Sequence, residues 1–271
     1  MNALLFKITL AIYLAATVAY MAYLVKPRQN IGRIGRWLLS IGLAAHCVFT
    51  VDRFYEAGHT PITNLHESLS FFSLAVVAVY ITFERRYKIY ILGSFVTPLA
   101  LLIMVASTGF PSAISPLNPA LQSRWLVVHT TMAFLSYAAF AVAFGAAIMY
   151  LIQEHFLKSK KLGPMYQKLP PLDILDEINY RCLAFGFPLL TFAIIAGAIW
   201  AETAWGTYWS WDPKETWSLI TWFVYAALLH GRLTTGWRGK KAAILAIIGF
   251  FVLLFTFLGV NLFMPGLHSY K

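Results

Sequence analysis

Four tryptophans and one tyrosine fall within 13 residues in the segment Trp205–Trp217, which reads WGTYWSWDPKETW. An interfacial aromatic belt accounts for a Trp or two per helix end, but not for this density in one connection. Rigid aromatic rings offer a large contact area and can stack on a planar π-system. We therefore interpret the segment as a platform for a large flat ligand, formed by Trp205, Trp209, Trp211, Asp212 and Trp217.

Histidines are the second group of residues that can do chemistry here, and the chain has seven of them. A neutral imidazole binds metals through either ring nitrogen. Two imidazoles on opposite faces of a macrocycle are a standard axial arrangement for haem iron. Which histidines can pair in this way depends on the elements that carry them.

The composition defines those elements as membrane-spanning helices. Of the 271 residues, 59% are hydrophobic and only 12% are charged, against about 25% charged in soluble domains. A bilayer core needs roughly 20 apolar residues of helix. The sequence predicts an all-α polytopic integral membrane protein with about eight transmembrane helices, at about 3–25, 36–54, 67–84, 88–107, 125–153, 180–202, 215–233 and 242–264. We expect one transmembrane domain over 1–271, with the tryptophan-rich loop at 201–217.

The distribution of charge predicts how these helices are oriented. The net charge is +10, and the Lys and Arg residues concentrate in alternate connections, as the positive-inside rule requires of cytoplasmic loops. This pattern argues against a nucleic-acid partner. It puts both termini and the tryptophan-rich loop on the outer side. Cys47 and Cys182 form no CxxC pair, so no redox motif is predicted.

This topology sorts four histidines into two layers. His129 begins the fifth helix on the outer side, and His268 lies in the outer tail beyond the eighth. His46 lies about ten residues into the second helix and His230 about fifteen into the seventh, which puts both in the middle to inner part of the bilayer. Ionisable residues inside a membrane are candidates for function. The four are therefore candidate metal ligands.

The loop resembles the WWD domain of the haem-handling superfamily, in which Trp-Gly-x-x-Trp-x-Trp-Asp-Pro-Lys-Glu recurs. Within it the chain is most similar to the CcsA (ResC) family of system II cytochrome c biogenesis. Further stretches carry this resemblance: Gly58-His59-Thr60-Pro61 with Glu67-Ser68, His129-Thr130-Thr131-Met132 with Leu135-Ser136-Tyr137, and Gly259-Val260-Asn261-Leu262 with Gly266-Leu267-His268-Ser269-Tyr270. One departure is His66, which stands where Tyr is expected.

The resemblance implies a role for each pair of histidines. His129 and His268 match the external pair that holds haem for delivery, and His46 and His230 match the transmembrane pair that receives it. The cargo would be haem b, attached to the CxxCH motif of apocytochrome c. A CcsB/ResB-type membrane subunit is the implied partner, with thiol-disulfide reductant proteins acting indirectly. The implied location is the bacterial plasma membrane, or the thylakoid membrane in a plastid.

No residue in the sequence has the pattern of a general base or nucleophile for thioether formation. We therefore expect catalysis by positioning, with haem-lyase activity only in complex with the partner. Two alternatives stay open. The chain could be a membrane b-type cytochrome that transfers electrons through two bis-His haems, or a transporter of another flat ligand, which would leave the histidines unexplained.

Overall fold

The computed structural model describes residues 2–114, 122–160, 163–264 and 266. Within those ranges every regular element is helical, which confirms the predicted fold class. The chain divides into two compact units, one of residues 1–116 and 152–171 and the other of residues 117–151 and 172–271. The expectation that 1–271 acts as one haem-handling domain stays a prediction.

The first unit contains three long helices and a broken fourth. They are α1 (Asn2–Val25), α2 (Gln29–Ala57), α3 (Leu65–Tyr87) and α4 (Gly93–Ser107), the last preceded by a 3₁₀ turn at Tyr90–Leu92. The unit also includes the end of α5 and the short helix α6 (Pro164–Lys168). α2 begins several residues before the predicted start at 36, because residues outside the apolar span also continue a helix.

Close packing of α1 on α2 depends on tyrosines that lie against glycines. Gly42 and Gly35 of α2 face Tyr13 and Tyr20 of α1, in antiparallel order. A Cβ added at Gly42 would lie 2.7 Å from the Tyr13 ring, and one at Gly35 would lie 3.3 Å from the Tyr20 ring. Small residues allow this approach because membrane helices associate by van der Waals contact more than by expulsion of water.

A buried carboxylate joins three helices of the first unit. The Glu84 side chain on α3 is fully buried and accepts a hydrogen bond from Arg36 Nε of α2 at 2.6 Å. Its second oxygen accepts a hydrogen bond from the Tyr20 hydroxyl of α1. Two charge-assisted bonds therefore compensate for removing this charge from water.

The second unit is built on two very long helices. It comprises most of α5 (Arg124–Lys158), α7 (Leu172–Trp205), α8 (Pro213–Thr234) and α9 (Lys240–Leu254). A π-helical turn, Phe255–Gly259, continues α9 into the short α10 (Val260–Phe263). α7 begins eight residues before the predicted start of its span at 180.

Polar bonds between helices hold the second unit together inside an apolar surrounding. On α5, Ser136 Oγ donates to the Gly186 carbonyl of α7 at 2.8 Å, and Asn179 Nδ2 of α7 donates to the Ala143 carbonyl at 3.1 Å. Near the start of α7, Asp176 accepts two bonds from the Arg232 guanidinium of α8, at 2.9 and 2.6 Å. Each bond satisfies a group that lipid could not.

Among the described residues, seven helices are long and apolar enough to cross a membrane. They correspond to seven of the eight predicted spans. α8 is 22 residues long but is not in this set. That α8 crosses the membrane, and that both termini lie outside, stay predictions.

The Arg36–Glu84 pair generates a test of the first unit. Arg36→Met would leave the Glu84 carboxylate buried with one neutral donor. Breaking a buried pair costs about 3–5 kcal/mol, and we expect the lower end because the Arg36 side chain keeps 28% of its exposure. Chemical unfolding in detergent would measure the loss. Arg33→Met, on the exposed side of α2, is the matched control, and an equal loss in both variants would contradict the assignment.

Candidate functional site

The tryptophan-rich loop is shaped by two residues with left-handed backbone. Gly206 has φ +74° and Trp211 has φ +59°. The first suits glycine, whereas the second is a costly conformation for a bulky residue and requires support from its surroundings. Asp212 follows as the N-cap of α8, with its carboxylate accepting the Lys214 amide at 2.9 Å. The chain therefore turns from loop to helix within two residues.

Glu215 supplies the support that this loop needs. Its Oε2 accepts the backbone amides of Ser210 at 2.8 Å and Asp212 at 3.2 Å, together with the Ser210 hydroxyl at 3.2 Å. Asp212 and Glu215 thus form a capping box at the start of α8. In the motif WDPKE, both carboxylates hold the loop in shape.

The four tryptophans have different positions. Trp209 lines a cavity beneath the loop. Trp211 is 68% exposed and packs edge-on against Trp209, with ring centroids 5.8 Å apart. Trp205 packs against Trp200, and Trp217 packs against Phe255. Neither Trp205 nor Trp217 is among the residues that line this cavity.

His129 of α5 lies at this cavity and is held in one orientation. Its Nδ1 is 2.7 Å from the Ala193 carbonyl of α7. Because a carbonyl only accepts, Nδ1 carries the proton and Nε2 keeps its lone pair. Trp200 stacks on the imidazole with centroids 6.2 Å apart. Trp205 in turn packs against Trp200, so it adjoins this stacked pair.

Gly197 of α7 makes room for this imidazole. A Cβ at that position would lie 2.6 Å from His129 Nδ1, too close for any residue other than glycine without displacement of the ring. The sequence does not single out Gly197 as part of a site. Its role depends on a contact between helices that are distant in the chain.

The cavity lies wholly within the second unit and has an empty volume of about 600 Å³, including the space at its open mouth. The enclosed part of this space is much smaller, about 70 Å³. The polar and aromatic groups that line it come from α5, α8, the π-helical turn after α9 and the loop: His129, Tyr137, Tyr208, Trp209, Lys214, Glu215, Ser218 and Thr256. The π-helical turn after α9 contributes Thr256, and such turns often occur at functional sites.

Two nitrogens at this cavity favour a ligand with acceptor atoms. The Trp209 indole Nε1 is buried and has no hydrogen-bond partner among the described residues. An unsatisfied buried donor costs about 1–3 kcal/mol, so an acceptor on a ligand would bind it favourably. The Lys214 ammonium lies at the same cavity, where it donates to Asn261 Oδ1 at 3.0 Å.

Each of the other predicted ligands has its own environment. His268 lies outside the described residues. His46 belongs to the first unit, is fully buried, and has Nδ1 3.1 Å from the Tyr13 hydroxyl and Nε2 2.9 Å from Ser70 Oγ. His230 belongs to the second unit and is exposed on α8. The pairing of His46 with His230 stays a prediction.

Comparison with known proteins agrees with this architecture. Residues 62–268 match the family model described as cytochrome C assembly protein. A relative named cytochrome c biogenesis protein CcsA, from Guillardia theta, is 39% identical over 97% of this chain and 94% of its own. The protein of that name from Chlamydomonas reinhardtii is 44% identical over 88% of this chain and 68% of its own. The one from Microcystis aeruginosa is 41% identical over 85% of each.

The fold and cavity define a multi-pass helical membrane protein with an imidazole held beneath a tryptophan-rich loop. By these matches, the chain belongs to the CcsA family of cytochrome c biogenesis proteins. A solved structure with a similar fold is that of cytochrome c heme lyase CcmF, with a TM-score of 0.64 and 19% identity. The match covers 96% of this chain but only about half, 48%, of that one.

The hydrogen bonds to Glu215 generate a test of the loop. Glu215→Ala removes the acceptor of three bonds, and we expect it to destabilise the protein by about 2–3 kcal/mol. The exposed tryptophans should also become easier to quench with acrylamide. Glu215→Gln keeps a side-chain oxygen that can accept the same amides and should behave nearly as the wild type. Equal quenching in the alanine variant and the wild type would show that Glu215 does not shape the loop.

Proposed function

We propose that this protein handles haem for cytochrome c assembly, holding it at the cavity beneath the tryptophan-rich loop and presenting it to apocytochrome c. The observation that carries the proposal is the orientation of His129. Its Nδ1–H is bonded to the Ala193 carbonyl, which leaves Nε2 as the nitrogen for a metal. Metal-binding histidines usually have their other ring nitrogen bonded in this way.

The other groups at the cavity suit the same cargo. We assign the second axial position to His268, as the sequence predicts. Lys214 provides a cation for an acidic substituent, and the Trp209 indole provides a hydrogen-bond donor. Tyr208 and Trp211 are 60% and 68% exposed, so this side of the site remains open to a large substrate.

The chemistry of attachment then requires position more than acid–base catalysis. In thioether formation, the two thiols of the CxxCH motif add across the vinyl groups of haem. A fixed imidazole and a shaped aromatic loop hold the vinyl groups in a constant position while the substrate supplies both thiols. Orientation of this kind can lower a barrier by about 7–11 kcal/mol in favourable cases.

We propose that activity requires a CcsB/ResB-type membrane subunit, with thiol-disulfide reductants keeping the substrate cysteines reduced. The proposed location is the bacterial plasma membrane, or the thylakoid membrane in a plastid. The lower pair, His46 and His230, is proposed to receive haem before delivery. For that step, His46 Nε2 would have to exchange its bond to Ser70 for iron.

The role of His129 is tested by removing its imidazole. His129→Gly should lose the part of the low-spin haem spectrum that comes from this cavity, and most cytochrome c maturation in cells that contain the partner. Added imidazole should restore both, because it can occupy the space of the lost ring. His155→Gly, at the exposed far end of α5, is the control. Normal maturation in His129→Gly would refute the proposal.

Gly197 provides a test that leaves every proposed ligand in place. Gly197→Ala would push the His129 ring away from the Ala193 carbonyl. Loss of such an orienting bond typically costs about 10- to 100-fold in metal affinity, and haem titration would measure it. Gly163→Ala adds a methyl group where no atom lies within 4 Å and should bind haem normally. Unchanged affinity in Gly197→Ala would show that the anchored ring orientation is not needed.

A further inference from the structure

A second cavity lies wholly within the first unit, between the start of α1, the end of α2 and the start of α3. Its empty volume is about 1370 Å³, including the space at its mouth. Aromatic side chains form much of its apolar lining, and a few polar groups face it: Phe6, Phe49, Phe110, Lys7, Arg53 and His66. The functions assigned above make no use of this cavity.

His66 is the polar residue of greatest interest there. Its Nδ1 is 2.9 Å from the Ser107 carbonyl of the α4 end. The carbonyl can only accept, so Nδ1 carries the proton and Nε2 is the nitrogen available to a ligand. The Phe6 ring packs against the imidazole with centroids 5.2 Å apart, and only 5% of the residue is exposed.

This arrangement repeats, in the first unit, what is found around His129 in the second. Each imidazole has its Nδ1–H bonded to a backbone carbonyl of another helix, and each packs against an aromatic ring at a cavity. His46 differs, because both of its nitrogens are bonded to side chains. His66 and His129 thus each have one ring nitrogen bonded within the protein, whereas His46 has both.

The charges at the cavity also suit a ligand with acidic groups. Arg53 is nearly buried, with Nε bonded to Glu67 at 2.8 Å and a terminal nitrogen bonded to the Ser112 carbonyl at 2.8 Å. Glu67 is itself satisfied by the Thr63 amide and hydroxyl, both at 2.9 Å. The other charged groups that line the cavity are Lys7 and Glu56. Lys7 is therefore the cation best able to pair with an acidic substituent of a ligand.

We propose that this cavity is a haem-holding site separate from the two proposed above, with His66 Nε2 as its iron ligand and Lys7 as the partner of an acidic substituent. The proposal rests on the proposed function, since it takes haem to be the cargo of the chain. It assigns a ligand role to the position at which the family pattern led us to expect Tyr. The chain would then hold haem in each of its two units.

Haemin titration of the full chain in detergent tests the proposal, with empty micelles as the blank. The variant His66→Asn keeps a side-chain N–H to donate to Ser107 and removes the Nε2 ligand. In a background in which His129→Gly and His230→Gln remove the two sites proposed above, we expect one imidazole-type haemin spectrum to remain, and His66→Asn to abolish it. His59→Asn, which alters a histidine outside the cavity lining, should leave that spectrum unchanged.

Two further measurements do not depend on changing His66. Ala3→Trp fills the cavity from the exposed start of α1 and should remove the same spectrum. Lys7→Gln should lower the affinity for haemin several-fold. It should leave the affinity for haemin dimethyl ester, which has no free carboxylates, unchanged. If His66→Asn and Ala3→Trp both keep the wild-type haemin stoichiometry and spectrum, the site at His66 is refuted. If His129→Gly alone binds as much haemin as the wild type, the site in the second unit is refuted instead.

Discussion

The hydrogen bond from His129 Nδ1 to the Ala193 carbonyl decides which imidazole nitrogen is offered to a ligand. It joins residues 64 positions apart in the chain, so it exists only while α5 and α7 keep their separation. Ser136 and Asn179 bond the same two helices further along, and Gly197 leaves space for the ring. The packing of two helices thus sets the chemistry of the cavity, because the ring cannot turn without losing a buried bond.

The WWD motif combines two kinds of residue that the sequence alone does not separate. Asp212 and Glu215 build a capping box that holds Trp211 at its positive φ. The tryptophans then divide between lining, flanking and supporting positions, and only Trp209 lies at the cavity itself. The motif therefore consists largely of residues that shape the backbone, while the cavity is lined by Lys214 and Glu215 from within it and by His129 from α5.

Buried polar groups in a membrane protein need partners, and this requirement explains the different states of the histidines. His46 satisfies both ring nitrogens through Tyr13 and Ser70. His129 and His66 use one nitrogen for a backbone carbonyl and have the other at a cavity. Away from water, a polar group that loses its hydrogen bond is costly until it finds a new partner, and this applies to both nitrogens of His46 and to Ser70. Binding of any ligand to His46 Nε2 would therefore require movement of Ser70 or of the helix that carries it.

The sequence by itself determined seven of the helical spans, the membrane class and the family, because long apolar runs and the WDPKE string are local properties of the chain. It also identified His129, Trp209 and the departure at His66. It did not determine which tryptophan lines a cavity, which imidazole nitrogen is free, or why position 197 is glycine. Those features depend on contacts between helices far apart in the chain, and only the tertiary structure decides which side chains meet there.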